Sequence, residues 1–269
     1  MAAYEMGSIG TGNMGGTLAR AAVRGLGREK VLLSDKLADK AASLAQELGC
    51  ASDTVQRVAE HCRFIMLGVK PQMMADMLAE IAPVLAAREE RFVLVTMAAG
   101  LTMEQIGSMA GGNYPIIRIM PNTPASIGEG MILYTANQLV TDQEMSDYLQ
   151  AMRAAGRFDR LDEKLFDAGG SVSGCGPAFA YLFIEALSDG GVACGLPRAQ
   201  AMQYAAQMMV GAAKLVLESG QHPGALKDAV CSPGGSTIAG VRALEEKGFR
   251  AACMDAVIQA VERTKELGK

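Results

Sequence analysis

The stretch IGTGNMGG, residues 9–16, follows a short apolar run and opens a helical pattern, and its reading decides the fold. It contains Gly10-x-Gly12-x-x-Gly15. In such a turn the first glycine permits the tight reversal, the second lets a pyrophosphate approach the backbone, and the third lets helix pack close to strand. The N–H groups and positive dipole end of the following helix then face the phosphates. A glycine turn alone is a weak signal. Here, however, Asp35 stands 20 residues beyond Gly15, at the end of a second β-prone run, where an acid would meet the adenosine ribose. That order predicts a dinucleotide site formed by Gly10, Thr11, Gly12, Asn13, Met14 and Gly15, with Ser34, Asp35 and Lys36 at its ribose end. Asp35 favours an unphosphorylated ribose, whereas Ser34 and Lys36 could hold a 2′-phosphate, so these residues leave NADPH and NADH both open.

Outward from this motif, β-prone runs at residues 5–9, 30–34, 63–69, 92–96, 114–120 and 131–134 alternate with amphipathic stretches at 14–26, 37–48, 72–85 and 103–109. Parallel neighbours need a crossover connection, so the alternation predicts an α/β, Rossmann-like, doubly wound parallel sheet. After about residue 162 the pattern changes. Long Ala- and Met-rich segments at 177–192, 198–217, 238–246 and 250–267 are separated by Gly/Pro punctuation at 195–197 and 220–224. We therefore expect a dinucleotide-binding domain at 1–162 and an all-α domain at 163–269. A small bundle this apolar is expected to bury part of itself against a second copy, as a homodimer.

Composition narrows the function further. The 269 residues are 50% hydrophobic and 20% charged, with a formal net charge of −4. No basic run is present, which argues against nucleic acid or anionic lipid as partner. The six cysteines form no CxxC pair and the two histidines, His61 and His222, lie far apart, so we expect neither a metal site nor a disulfide framework, and a reducing cytoplasmic setting. The eighteen methionines read as flexible core filler. The opening residues leave no room for a signal peptide, and the apolar stretch at 178–187 is broken by Glu185 and soon by Asp189, too early for a membrane span.

A second glycine-rich loop, SPGGST at residues 232–237, precedes an apolar helical pattern. Its plain reading is a helix cap, with Ser236 or Thr237 satisfying the free N–H groups. The same geometry would make an anion cradle. Three further stretches accompany it: GVKPQ at 68–72, RIMPNTPASIGEG at 118–130 and SGCGPAFAYLFIEALSDGGVACGLPR at 173–198. Together with SPGGSTIAGVRALEEKGFRAACMDAVIQAVERTKEL at 232–267, they resemble the pyrroline-5-carboxylate reductase family over essentially the whole chain.

The resemblance implies hydride transfer from NADPH, with NADH as alternative, to the C=N bond of Δ1-pyrroline-5-carboxylate, giving L-proline in the last step of proline biosynthesis. It also implies a C-terminal dimerisation domain and the assembly of dimers into decamers. The loop of Ser232, Gly234, Gly235, Ser236 and Thr237 would bind the substrate carboxylate through backbone N–H groups, with Thr237 touching the ring nitrogen as the catalytic residue. Val69, Lys70, Pro71, Met120, Pro121, Asn122 and Thr123, and Ala98 with them, would contact the cofactor. The strand-end placement of these loops fits, since open α/β sheets bind ligands beyond the carboxyl ends of their strands.

Two departures stand out. Cys175 occupies a position where the family usually has serine, and no asparagine occurs near residues 54–56, where many members reach the adenosine with one. A related plan, the β-hydroxyacid dehydrogenase with a catalytic lysine on its interdomain helix, is opposed by the absence of lysine from 178–196. A non-enzymatic nucleotide sensor is opposed by the intact Gly234, Gly235 and Thr237. Glu185 with Asp189, and the two histidines, are read as surface or packing residues without chemistry.

Overall fold

The structure is a computed structural model and describes residues 2–267. By its internal contacts the chain divides into two compact units, Met1–Cys175 with Ala260–Lys269, and Gly176–Gln259.

The first unit is built on a sheet of β1 (Tyr4–Ile9), β2 (Val31–Ser34), β3 (Ala51–Ser52), β4 (Cys62–Leu67), β5 (Val93–Thr96), β6 (Ile116–Met120), β7 (Gly130–Ala136) and β8 (Gly156–Arg160), in the order β3-β2-β1-β4-β5-β6-β7-β8. Helices α1 (Asn13–Leu26), α2 (Ala38–Leu48), α3 (Val55–His61), α4 (Met74–Ala87), α5 (Met103–Ala110), α6 (Asp142–Met152) and α7 (Phe166–Ser173) cover it. Alternate side chains of one strand reach opposite faces. Phe64 and Met66 of β4 therefore join Leu18, Ile117 and Tyr148 in one core, while Ile65 and Leu67 join Ile9, Leu78 and Ile106 in the other. Burial on both faces is why these strands read as continuous apolar runs.

The sheet departs from the expected all-parallel arrangement at one place, where β7 runs antiparallel to β6. The connection, residues 121–129, is too short for a crossover, so the chain turns straight back. β8 then pairs parallel with β7 after crossing through α6. It escaped the sequence pattern because GRFDR is polar at an exposed edge. The strand expected at 63–69 stops at Leu67, leaving Val69 in the following loop. Helix α6 also went unread, although Thr141 and Glu144 cap it reciprocally. At the other end of the first unit, α7 lies close to β7 because a Cβ on Gly169 would come within 2.6 Å of Leu133.

The second unit is entirely helical: α8 (Gly176–Ala193), α9 (Arg198–Ser219), α10 (Pro223–Ala229), α11 (Ser236–Glu246) and most of α12 (Phe249–Leu267). Arg198 at the start of α9 donates to Ser188 Oγ and pairs with Asp189, tying α9 to α8. His222 caps α10 by accepting the Gly224 N–H on Nδ1 at 3.0 Å. Asp189 and His222 thus have structural partners.

Candidate active site

In the first unit the chain leaves β1 through Gly10, whose φ of 100° lies in the left-handed region that suits glycine. A Cβ there would sit 2.7 Å from the Gly68 carbonyl carbon, so the loops after β1 and β4 come together only because both positions are bare. A Cβ on Gly15 would collide with the Gly10 carbonyl oxygen, which makes close helix packing the role of that glycine. Gly12 faces open space and has room for a ligand. It is also the N-cap of α1, with no side-chain cap, so the first N–H groups of α1 remain free for an anion. Met14 is half-buried and packs against the core.

Asp35, just past β2, accepts the Thr11 N–H at 2.7 Å and the Thr11 hydroxyl at 2.9 Å on Oδ2, and the Leu37 N–H at 3.1 Å on Oδ1. Burial pushes its carboxyl up, but these donors and the Lys40 charge outweigh it, and the group titrates below the ordinary aspartate value. Beside it a cleft of about 660 Å³ opens beyond the carboxyl ends of β1, β2 and β4, lined by Ser34, Asp35, Lys36 and Val69. This is where chain order reverses in the sheet, the usual ligand crevice of doubly wound folds. The cleft also takes in Asp39, Asp53, Thr54, Gln56, Asp76 and Glu80, none of which the sequence pattern singled out. They arrive on the first turn of α2, the segment that follows the two-residue β3, and the first two turns of α4, for which no motif exists. Residues 54–56 do reach the cleft, but with Thr54 and Gln56 rather than asparagine, and the Gln56 amide donates to Glu80 at 2.7 Å.

The remaining loops fall at neighbouring strand ends. Pro71 opens a 3-10 turn, Pro71–Met73, behind exposed Lys70. Ala98 is buried after β5, its N–H donating to Thr96 Oγ1. Met120 ends β6 and packs over Gly170 of α7. Pro121 is buried and Thr123 exposed. Asn122 is buried and its side chain is engaged within the unit, Nδ2 donating to the Ser173 carbonyl and Oδ1 accepting the Met131 N–H, both at 3.0 Å. Asn122 therefore holds the loop in shape, and its backbone and one amide hydrogen are what remain for a ligand. Arg118, 3% exposed, pairs with Glu163 at 3.0 Å and Asp167 at 3.7 Å and lies over the Phe166 ring.

In the second unit, the 232–237 loop differs from the plain reading of a side-chain cap. Gly235 is the N-cap of α11 and no side chain satisfies the free N–H groups. Neither the Ser236 nor the Thr237 hydroxyl has a hydrogen-bond partner among the described residues, and both residues are exposed. Gly234 adopts a φ of 68°, and the Gly235 N–H closes the turn onto the Ser232 carbonyl at 3.0 Å. A Cβ on Gly235 would strike Ser232 Oγ. Bare N–H groups and two free hydroxyls at a helix start form a cradle for a small anion.

Cys175 is half-buried and, like the other five cysteines, unpaired. Among the described residues no cluster of His, Cys, Asp or Glu could hold a metal ion, and no helix is long and apolar enough to cross a membrane.

Comparison with known proteins adds two family models, one described as pyrroline-5-carboxylate reductase dimerisation, matching residues 163–267, and one as NADP oxidoreductase coenzyme F420-dependent, matching residues 5–100. The chain is 42% identical to a pyrroline-5-carboxylate reductase of Escherichia coli, with 98% of each chain covered, and 39% identical to one of Glycine max, with 98% of this chain and 96% of the relative covered. Among solved structures it resembles a Plasmodium falciparum pyrroline carboxylate reductase with NADP bound, at 31% identity and a TM-score of 0.87, covering 100% of both chains. A pyrroline-5-carboxylate reductase from Coxiella burnetii gives a TM-score of 0.89 at 28% identity, covering 99% of both.

Proposed function

The chain belongs to the pyrroline-5-carboxylate reductase family, an NAD(P)H-dependent oxidoreductase of proline biosynthesis, and from that premise we propose how its residues divide the work. Residues 1–162 serve as the dinucleotide-binding domain and 163–269 as the dimerisation and substrate-binding domain. The Gly10–Gly15 turn and the free N–H groups of α1 hold the pyrophosphate, for which the bare Gly12 leaves room. Ser34, Asp35 and Lys36 face the adenosine ribose, while Val69, Lys70, Pro71, Ala98 and the 120–123 loop meet the nicotinamide half. Bound there, the reduced nicotinamide supplies the hydride that saturates the C=N bond.

The observation that carries the substrate assignment is the 232–237 loop with its uncapped helix start. The backbone N–H groups of Gly234 and Ser236, with the Ser232 hydroxyl, cradle the substrate carboxylate without a buried arginine, while the Gly235 N–H holds the turn in shape. A protonated imine accepts hydride more readily, because its nitrogen takes up the electron pair. The Thr237 hydroxyl orients that nitrogen and helps to pass its proton, a role of about 10²–10⁴-fold in rate for a positioned acid.

The test follows reduced-cofactor consumption that depends on added pyrroline-5-carboxylate, in the wild type and in Thr237→Ala. The expected result is turnover by the wild type and loss of most of kcat in a Thr237→Ala protein that remains folded. An inactive wild type with both NADPH and NADH would overturn the assignment.

The chain oligomerises through its C-terminal helices. We extend this to a homodimer whose copies assemble into a homodecamer in the cytoplasm, the first step supported by the apolar surface of the second unit and the second by the family resemblance. The six unpaired cysteines fit a reducing compartment. Light scattering behind a sizing column measures the copy number.

A further inference from the structure

We propose that Asp35, fixed in place by Thr11, sets the balance between the two nicotinamide cofactors, holding NADPH back and admitting NADH. This rests on the reading above, in which the cleft beyond β2 takes the adenosine ribose.

The first observation is the clamp. An aspartate at the end of β2 that could rotate freely would swing away from a 2′-phosphate at little cost. Asp35 cannot do so, because Oδ2 takes both donors of Thr11 and Oδ1 takes the Leu37 N–H. Rotating it away would break three hydrogen bonds and leave the Thr11 N–H of the glycine turn without its acceptor. Oδ2 has both of its lone pairs engaged by Thr11, and Oδ1 keeps one that a ribose hydroxyl can reach. A 2′-hydroxyl thus gains an acceptor, and a 2′-phosphate meets a fixed like charge.

The second observation is the composition of the cleft. Asp39, Asp53, Asp76 and Glu80 line it along with Asp35, and among the described residues Lys36 is its only cationic lining residue. Partial neutralisation exists, since Arg57 lies 3.8 Å from Asp53 and the Gln56 amide covers one oxygen of Glu80. Arg20 and Lys40 line a neighbouring groove with Thr11, Gly12 and Glu47; Arg20 is paired to Glu47 at 2.7 Å, and the Lys40 charge reaches Asp35. Within the cleft Lys36 is therefore set against several carboxylates. Its lowered titration keeps Asp35 ionised at neutral pH, in agreement with this geometry.

Thr11 is on this view a positioning residue. It touches the cofactor's selectivity through the orientation of Asp35.

The experiment measures kcat/KM for NADPH and NADH with pyrroline-5-carboxylate, and, in parallel, calorimetric affinities for ADP-ribose and 2′-phospho-ADP-ribose. The variants are Asp35→Asn, Thr11→Val and Thr11→Ser. Asp35→Asn keeps the size of the side chain and removes its charge. It should move both ratios toward the 2′-phosphorylated ligand by at least about tenfold. Thr11→Val, which removes the hydroxyl donor, should shift them the same way by a few-fold, and Thr11→Ser should restore the wild-type ratios. A ratio unchanged in Asp35→Asn, with the protein folded, overturns the proposal. If Asp35→Asn fails to fold, the Thr11 pair decides: equal ratios in Thr11→Val and Thr11→Ser overturn it. Should the wild type fail to consume either cofactor, the functional reading falls, yet the two ADP-ribose titrations still answer the question about Asp35.

Discussion

The two units of this protein use apolar residues in opposite ways. In the first, Phe64, Ile65, Leu78, Ile117 and Tyr148 are all fully buried within one copy of the chain. In the second, among the described residues, the only buried apolar side chains are Ala201 and Ala205, while Leu217 is 71%, Leu182 66% and Met254 62% exposed. A sheet with helices on both faces closes its own core, whereas a layer of helices with one partner missing cannot. Fully burying one leucine is worth about 1.5–3 kcal/mol, so a surface of this kind in a single copy calls for a second copy to cover it. The lesson is that the nucleotide-binding fold and the assembly are built on different physical terms, self-sufficient packing in one and completion by association in the other.

The largest test of that contrast places a charge on each surface. Leu182→Glu or Leu217→Glu should cost several kcal/mol of assembly free energy and convert the oligomer into smaller species by light scattering, because an unpaired carboxylate would be buried at the contact. Ile127→Glu, equally exposed but in the first unit, should change stability by no more than about 0.5 kcal/mol. If all three behave alike, the second unit is not completed by a partner.

Within the first unit the next effect concerns Arg118. Replacing it with Met strands Glu163 and Asp167, and urea unfolding should show a loss of about 3 kcal/mol, the lower end for a broken buried pair because both carboxylates reach solvent. Glu144 sharpens the same point through pH. Burial pushes its carboxyl up, but the Arg91 guanidinium and both donors of Thr141 more than reverse this and hold it below the ordinary glutamate value. A lowered carboxylate contributes stability that is complete above its unfolded value and is lost as pH falls through the folded one. Glu144→Gln should therefore cost about 1–2 kcal/mol at neutral pH and flatten the acid limb of the stability profile, read by thermal unfolding from neutral to strongly acidic buffer.

The smallest effect is of opposite sign. The Tyr148 hydroxyl is buried with no partner among the described residues, and burial alone pushes its phenol far up. Tyr148→Phe keeps the ring against Phe64 and Phe158 and should stabilise the protein by about 1 kcal/mol. A lower melting temperature in that variant would mean that the hydroxyl has a partner in solution.

Much of the site could be read locally. The Gly10-x-Gly12-x-x-Gly15 turn is visible because each glycine answers a steric demand within a few residues, and the 232–237 loop because Gly234 must take a positive φ. Less visible were residues whose role depends on what lies opposite. Asn122 reads as a turn residue between two prolines, and only the proximity of Ser173 and Met131 makes it a brace. Ser236 and Thr237 read equally well as caps, and only the backbone shows that Gly235 holds that position and leaves both hydroxyls free.

The sequence by itself determined the strand–turn–helix start, the alternation that makes an α/β sheet, the helical second half and the family. The first three follow from local sterics and periodicity, which act over a handful of neighbours, and the family from the resemblance carried by the stretches at 68–72, 118–130, 173–198 and 232–267. Only the tertiary structure decided that β7 turns back against β6, that Asp53, Asp76 and Glu80 share a cleft with Asp35, and that the Asp35 carboxylate is held by Thr11. Each of these joins residues far apart along the chain. Their meeting depends on sheet order and register, and so on the packing of the whole fold rather than on any single stretch of it.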